Sequence, residues 1–196
     1  MVEKAQLSFR NISLRLLRRR DLRAIENLLH KDRAWLSPWE ATTPGTIRYP
    51  LDVRWKVGAN IRHTKRGSGV AWVILVDGKI AGQLNVANIQ HGSLGSASIG
   101  YWIGKDFAGQ NATPIACALA IDYLFDHMDL HRIEIDIRPE NERSLRVVQK
   151  LGLRQEGLKQ RFIHIDGEWR DHLAFAITKE ERDGSMLHRL QNTLGE

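Results

Sequence analysis

The sequence predicts a single α/β domain of the α+β kind, in which an antiparallel meander of strands feeds a parallel strand–helix–strand crossover, giving a mixed, mostly antiparallel sheet flanked by helices. Three observations carry this prediction. Apolar residues recur at two-residue spacing in some segments and at helical spacing in others. Two Asp-Gly pairs sit between alternating apolar runs, where tight hairpins belong. Beyond Ile103 the pattern changes from strand following strand to strand alternating with helix. A chain of 196 residues suits one core without staples.

Taken in order, Ile12, Leu14 and Leu16 alternate with Ser13 and Arg15 as a half-buried strand does. Asp21 then stands as an N-cap before Leu22, Ile25, Leu28 and Leu29 at helical spacing. Residues 35–50 contain Trp35, Pro38, Trp39, Pro44, Gly45 and Pro50, too many breakers for regular structure, so an aromatic loop is expected there. A helix over Val53–Arg66 follows and ends near Gly67. Val70–Val76 and residues 80–87 flank Asp77-Gly78, whose two-residue turn needs positive φ, and Ser96–Ile103 follows a turn over residues 92–95. Residues 112–128 are apolar at helical spacing with Pro114 in the first turn. Residues 132–138 alternate through Ile133, Ile135 and Ile137, and residues 141–151 form a short helix closed by Gly152. Residues 158–165 and 170–177 make a last hairpin around Asp166-Gly167. The domain is expected over 10–178, with 179–196 a polar tail carrying a frayed helix.

Composition narrows the function. With 29 Lys+Arg against 23 Asp+Glu, the net charge of +6 favours an anionic partner: nucleic acid, a phosphorylated cofactor or the surroundings of a ribosome. The basic residues do not alternate with aromatics on one element, so sequence-specific nucleic-acid binding is not the expected role. The lone cysteine, Cys117, excludes a disulfide framework and a thiolate metal cluster, both of which need two sulfurs; in an apolar helix it reads as inert core. The longest wholly apolar run, Val70–Val76, is far short of the roughly 20 residues that span a bilayer. Residues 1–10 lack the apolar segment of a signal peptide, and the expectation is a cytoplasmic protein without membrane contact. His127 and His131 have a suggestive spacing but straddle a helix end, and no metal is expected.

The segment from Ile103 to Ala112 leaves a strand and opens a helix, so free backbone N–H groups converge at the positive end of a helix dipole. Gly109 has no Cβ to obstruct a ligand, and Asn111 tolerates left-handed φ, which lets successive N–H groups form an anion-binding nest. No Gly-Lys-Ser/Thr ending and no G-x-G-x-x-G after an early strand are present, which removes the nucleoside triphosphate and dinucleotide readings. CoA pyrophosphate remains.

Gly100-Tyr101-Trp102-Ile103-Gly104, Gly109-Gln110-Asn111, Asn141 with Ser144, and Leu151-Gly152-Leu153 with Glu156-Gly157 stand in the order and spacing of one family. They resemble the motifs of the GCN5-related N-acetyltransferases, the GNAT family. Trp35-Leu36-Ser37-Pro38-Trp39-Glu40 and the ending Asp166-Gly167-Glu168-Trp169-Arg170-Asp171-His172 resemble its RimJ/RimL branch, over roughly residues 10–177. The resemblance implies a sheet splayed between Ser96–Ile103 and residues 132–138, with the pantetheine of acetyl-CoA paired along Tyr101, Trp102 and Ile103. It implies pyrophosphate on the loop Phe107, Ala108, Gly109, Gln110, Asn111 and Ala112, Asn141 bonded to the cofactor arm, and Ser144 beside the thioester as the acid for the leaving thiolate. Asn111 and Pro114 depart from the family's usual loop residues. Asn takes the same backbone conformation, and Pro in a first helical turn gives up an N–H that has no partner there. Thr113 reads as a helix-start residue, and Arg138, Arg143, Arg146 and Lys150 make a basic surface nearby.

The implied reaction is direct attack by an amine on the acetyl carbonyl, and the lone Cys117 argues against an acetyl-cysteine route. An α-amine of pKa about 7.7 is roughly one-sixth neutral at pH 7, whereas a lysine amine is neutral at under about one part in a thousand. A protein N-terminus therefore needs only a weak base. The family's usual glutamate base corresponds to Ser98 in this chain, so the base is unassigned. Glu40 is the first candidate, as base or as a grip on the acceptor amine beside Trp35 and Trp39, with Tyr101 a possible relay and Arg170-Asp171 a structural pair. The implied acceptor is a ribosomal protein's N-terminus. A small amine such as a polyamine, or CoA sensing without catalysis, are the alternatives.

Overall fold

The computed structural model describes residues 6–45 and 53–195. Eight strands form one sheet: β1 Leu7–Phe9, β2 Ile12–Leu16, β3 Val70–Val76, β4 Lys79–Gln90, β5 Ser96–Ile103, β6 Arg132–Ile137, β7 Arg154–Ile165 and β8 Glu168–Thr178. Their spatial order is β1-β2-β3-β4-β5-β6-β8-β7, antiparallel throughout except for β5 with β6. The helices are α1 Leu22–Lys31, α2 Arg33–Leu36, α3 Val53–Arg66, α4 Ala112–Asp126, α5 Glu142–Leu151 and α6 Met186–Leu194. The predicted meander and crossover are thus both present.

Every residue of β3 is buried, because helices cover both faces of the sheet. Val70, Trp72, Ile74 and Val76 join the larger core under α4, while Ala71, Val73 and Leu75 join Ile25 and Val57 in a second core under α1 and α3. Asp77 and Gly78 have φ of 48° and 74°, and Asp166 and Gly167 have 49° and 85°, so both hairpins turn through the left-handed region their sequences call for.

The parallel pairing of β5 with β6 covers only Ser96↔Arg132, Ala97↔Ile133 and Ser98↔Glu134. Beyond Ser98 the two strands diverge, and the rest of β5, from Ile99 to Ile103, is left open toward β6 while remaining paired with β4. This is the splay that the resemblance implies.

Several expectations need correction. Asp21 is not a side-chain cap for α1: its buried carboxylate takes two hydrogen bonds from Arg15, at 3.0 Å each, and one from the Arg18 backbone N–H. The aromatic segment is more regular than its breakers suggested, forming α2 and then a 3₁₀ turn over Ser37–Trp39 with Pro38 inside it; residues 46–50 of the expected loop lie outside the described residues. The Leu7–Phe9 strand was not foreseen. The segment after Thr178 is more than a frayed tail: α6 buries Met186 and Leu190 in the main core, and Asp122 of α4 accepts from the Met186 and Leu187 backbone N–H groups at the helix start.

Candidate active site

The open stretch of β5, the start of α4, α5 and the aromatic segment enclose a cavity of about 540 Å³. Each wall follows from local structure. On the phosphate loop Gly109 has φ 81° and a Cβ there would meet nothing within 4 Å, while Asn111 takes φ 57° and hands over to α4. Asn111 Oδ1 accepts from Lys150 Nζ at 2.7 Å, which fixes the left-handed residue against α5. Phe107, Ala108, Gly109, Asn111 and Ala112 all line the cavity, as do Thr113, Arg143, Arg146 and Lys150. Gln110 does not; its side chain folds back to donate to the Asp106 carbonyl at 2.9 Å.

Across from this loop, Asn141 and Ser144 open α5. Asn141 Oδ1 accepts from the Ser144 N–H at 3.2 Å, so the capping role is formed, and both residues line the cavity. Tyr101 points between them and α4. Its hydroxyl donates toward the Ser144 carbonyl at 3.5 Å, the outer edge of a hydrogen bond, and burial pushes its pKa far above the ordinary tyrosine value. Tyr101 therefore stays protonated, with its hydrogen available to the Ser144 carbonyl. Burial likewise raises the Cys117 thiol, which removes the thiolate needed for nucleophilic attack.

The aromatic segment bridges the splay. Trp35 Nε1 donates to the Ile103 carbonyl at 3.0 Å, taking up a backbone acceptor at the open end of β5, and the Arg143 guanidinium lies 4.1 Å from the Trp35 ring. Arg138 stacks 5.4 Å from the Trp39 ring and donates to the Pro38 carbonyl at 2.8 Å. Glu40 is held from both sides: Oε2 accepts from Arg33 Nη1 and Oε1 from Lys56 Nζ, each at 2.7 Å. Both oxygens are thus engaged with cations, the arrangement of a clamp between this segment and α3 rather than of a base awaiting a proton. Deeper in the cavity, Gln83 receives the Trp102 indole N–H at 3.2 Å, and its own buried amide nitrogen has no partner among the described residues.

A second cavity, of about 150 Å³, lies on the other side of Trp39 and Ala41. It shares Gly100, Tyr101, Asn141 and Ser144 with the first and adds Asp136, Arg138 and His172. His172 stands in the sequence as part of the RimJ/RimL-like ending, and its place on β8 turns it inward, where it is buried. The rest of that ending is structural. Arg170 pairs with Glu168 at 2.9 Å and not with Asp171, whose Oδ1 accepts from the N–H of Arg161, a residue at φ 46°. Trp169 stays half exposed, edge-on to His164. His127 stacks on Tyr123 while His131 meets Glu180 at 3.0 Å, so the two histidines do not converge, and no cluster of metal-ligating residues occurs among the described residues.

Residues 11–154 match the family model described as Acetyltransferase (GNAT) domain, and the chain belongs to that family. It is an acetyltransferase, close to the RimJ/RimL ribosomal-protein-alanine N-acetyltransferases by sequence and structure. It is 30% identical to the [Ribosomal protein uS5]-alanine N-acetyltransferase of Escherichia coli strain K12, over 90% of this chain and 92% of that one. Among solved structures it resembles Mycobacterium smegmatis RimJ in complex with CoA-disulfide, at TM-score 0.87 and 37% identity over 94% of this chain and 89% of that one. A more distant relative is the spermidine N(1)-acetyltransferase of Escherichia coli strain K12, 26% identical over 89% of each.

The cavity walls fit a CoA thioester: a stretch of β5 beyond Ser98 that has no partner strand on the β6 side, an open glycine-containing loop at the start of a long helix, and cations on α5. Replacing Asn141 by Ala is expected to raise the KM for acetyl-CoA about tenfold and to lower stability by about 1 kcal/mol through loss of the cap. Steady-state kinetics and urea unfolding separate the two effects. An unchanged KM with the stability loss intact would leave Asn141 as a cap only.

Proposed function

We propose that this protein acetylates the α-amine of a protein N-terminus, that of a ribosomal protein, using acetyl-CoA in the cytoplasm. The observation that carries the reading is the match to a uS5-alanine N-acetyltransferase over nearly the full length of both chains. No helix among the described residues is long and apolar enough to cross a membrane, in keeping with the proposed compartment.

In this reading the N–H groups of Phe107, Ala108, Gly109, Gln110, Asn111 and Ala112 hold the pyrophosphate, and the backbone of Tyr101, Trp102 and Ile103 pairs with the pantetheine. Ser144, at the start of α5, donates the proton that the leaving sulfur takes, and Tyr101, kept protonated by burial, orders the Ser144 backbone. Because a thiolate leaves readily, this acid assistance is worth less than removal of the acceptor's proton. Trp35 and Trp39 wall the acceptor side, and Glu40 fixes that wall through Arg33 and Lys56. The excess positive charge of the chain favours encounter with a ribosomal surface.

The test is turnover with acetyl-CoA against peptides that begin with alanine or serine, N-terminally blocked lysine peptides, and spermidine, following thiol release and product mass. Acetylation of the peptide α-amine is expected. Turnover confined to spermidine would replace the reading with the one that the spermidine acetyltransferase match supports, and acetyl-CoA binding without any turnover would make the protein a sensor.

A further inference from the structure

With Ser98 in the family's usual base position and both Glu40 oxygens bound to cations, the acceptor's proton has no evident destination in the main cavity. The smaller cavity supplies one. His172 is 3% exposed, and its ring forms part of that cavity's wall, together with Gly100, Tyr101 and Ser144, which belong to both cavities. His172 Nδ1 lies 3.0 Å from the Arg170 carbonyl oxygen, an atom that only accepts; Nδ1 therefore carries the hydrogen, and in the neutral ring Nε2 is the free lone pair. No hydrogen bond from a described residue occupies Nε2.

We infer that His172 is the proton acceptor for the attacking amine, and that the cavity it lines admits the acceptor's first residue; this rests on the acetyl-transfer reading above. At about 150 Å³ the cavity is less than a third the size of the main one, which suits an amine on a small residue. Asp136, on the same wall, gives an incoming ammonium a carboxylate to approach; Lys159 Nζ lies 2.9 Å from its Oδ1 and donates to its Oδ2 at 3.1 Å.

The proton inventory closes. The amine nitrogen bonds to the acetyl carbon and gives up one proton to His172 Nε2, directly or through one water. The carbon–sulfur bond breaks, the sulfur takes the Ser144 hydroxyl proton, and the imidazolium returns its proton through water to Ser144. The charged groups around the ring are Asp136, Arg138 and Glu140 from β6 and the turn after it, Lys159 opposite on β7, and Arg170 two residues back on β8; the Phe162 ring packs edge-on at 6.0 Å. Burial, the largest influence, with Arg138 behind it, lowers the His172 pKa from its ordinary value against the opposing pull of the Arg170 carbonyl, Asp136 and Glu140. The ring is consequently neutral at pH 7 and loses its function only as pH falls through that lowered value.

The experiment compares the unmodified protein with His172→Asn, which keeps an N–H for the Arg170 carbonyl, and with His172→Gln, using an alanine-initiated peptide and acetyl-CoA across pH 5–9. Both variants are expected to lose about a hundredfold in kcat/KM at pH 7, to keep acetyl-CoA affinity and Tm, and to recover at least about tenfold when imidazole is added, the missing base being small enough to enter. In the unmodified protein the acid limb of log kcat/KM should steepen from slope one toward two at low pH, since amine and imidazole must both be neutral; in the variants it should stay at slope one. Variants within threefold of the unmodified protein, or a loss that imidazole does not restore, would overturn the assignment. Failure of the unmodified protein to acetylate any peptide would instead remove the reading on which it rests.

Discussion

Valine at position 100 is expected to lower kcat/KM about a hundredfold while leaving the fold intact. Gly100 lies in the middle of β5, and its φ is not in the left-handed region, so its backbone is one that any residue adopts. Its lack of a side chain serves space instead: a Cβ there would meet nothing within 4 Å, and the position lines both cavities. Valine is a good strand former and fits the local backbone, but its methyl groups would stand where the two cavities join, the place at which the proposed reaction brings amine and thioester together. A displacement of about 1 Å from the attack geometry is worth on the order of a hundredfold in rate. Thermal unfolding should show Tm unchanged within a few degrees, and Gly100→Ala should fall between the two. A valine variant within threefold of the unmodified protein would mean that the reaction takes place elsewhere.

Alanine in place of Gly82 acts the opposite way, on stability first. Gly82 pairs with Ile103 in the β4–β5 ladder, and an added Cβ would lie 2.1 Å from the Trp102 carbonyl oxygen and 3.0 Å from the Ile103 Cα. These are backbone atoms, so no rotamer change relieves the overlap and the strands must part. The expected loss is about 3 kcal/mol in urea unfolding, at the upper end for a point substitution. Because the displaced atoms belong to the stretch that faces the splay, the KM for acetyl-CoA should rise as well. A loss below about 1 kcal/mol would show that the ladder absorbs the methyl by sliding.

Much of this architecture is readable before any coordinates. The Asp-Gly hairpins are dictated by dihedral angles that few other residue pairs reach, and β3 declares itself by a continuous apolar run that makes sense only between two helical layers. The conformation of the loop before α4 is legible for the same reason: a left-handed asparagine and a glycine beside a helix start are local properties. What escaped depends on partners distant in sequence. Asp21 reads as a cap, yet Arg15 folds onto it, and Glu40 reads as a base or an amine grip, while in the fold Arg33 and Lys56 close on its two oxygens. The polar composition of the last segment hid the two apolar residues, Met186 and Leu190, that matter to the core. The burial of His172 at a cavity wall is not legible, because alternation on a strand tells which face a residue takes but not whether that face is covered.

The three residue pairs that join β5 to β6 have a mechanical meaning. With so short a ladder at the seam, the sheet is two rafts, one of five strands and one of three, and strand pairing contributes little to holding them together. That task passes to α4, which is buried on all sides except at Leu119, Asp122 and Asp126, and which packs against β1, β2, β3 and β5 in one raft and α5 and α6 beside the other. Cohesion between the rafts is therefore mainly hydrophobic, supplemented by a few hydrogen bonds at its rim such as Arg138 to the Pro38 carbonyl and Lys150 to Asn111. Apolar packing is non-directional, so the width of the gap is not set by strand pairing and each raft keeps its own ladder whole.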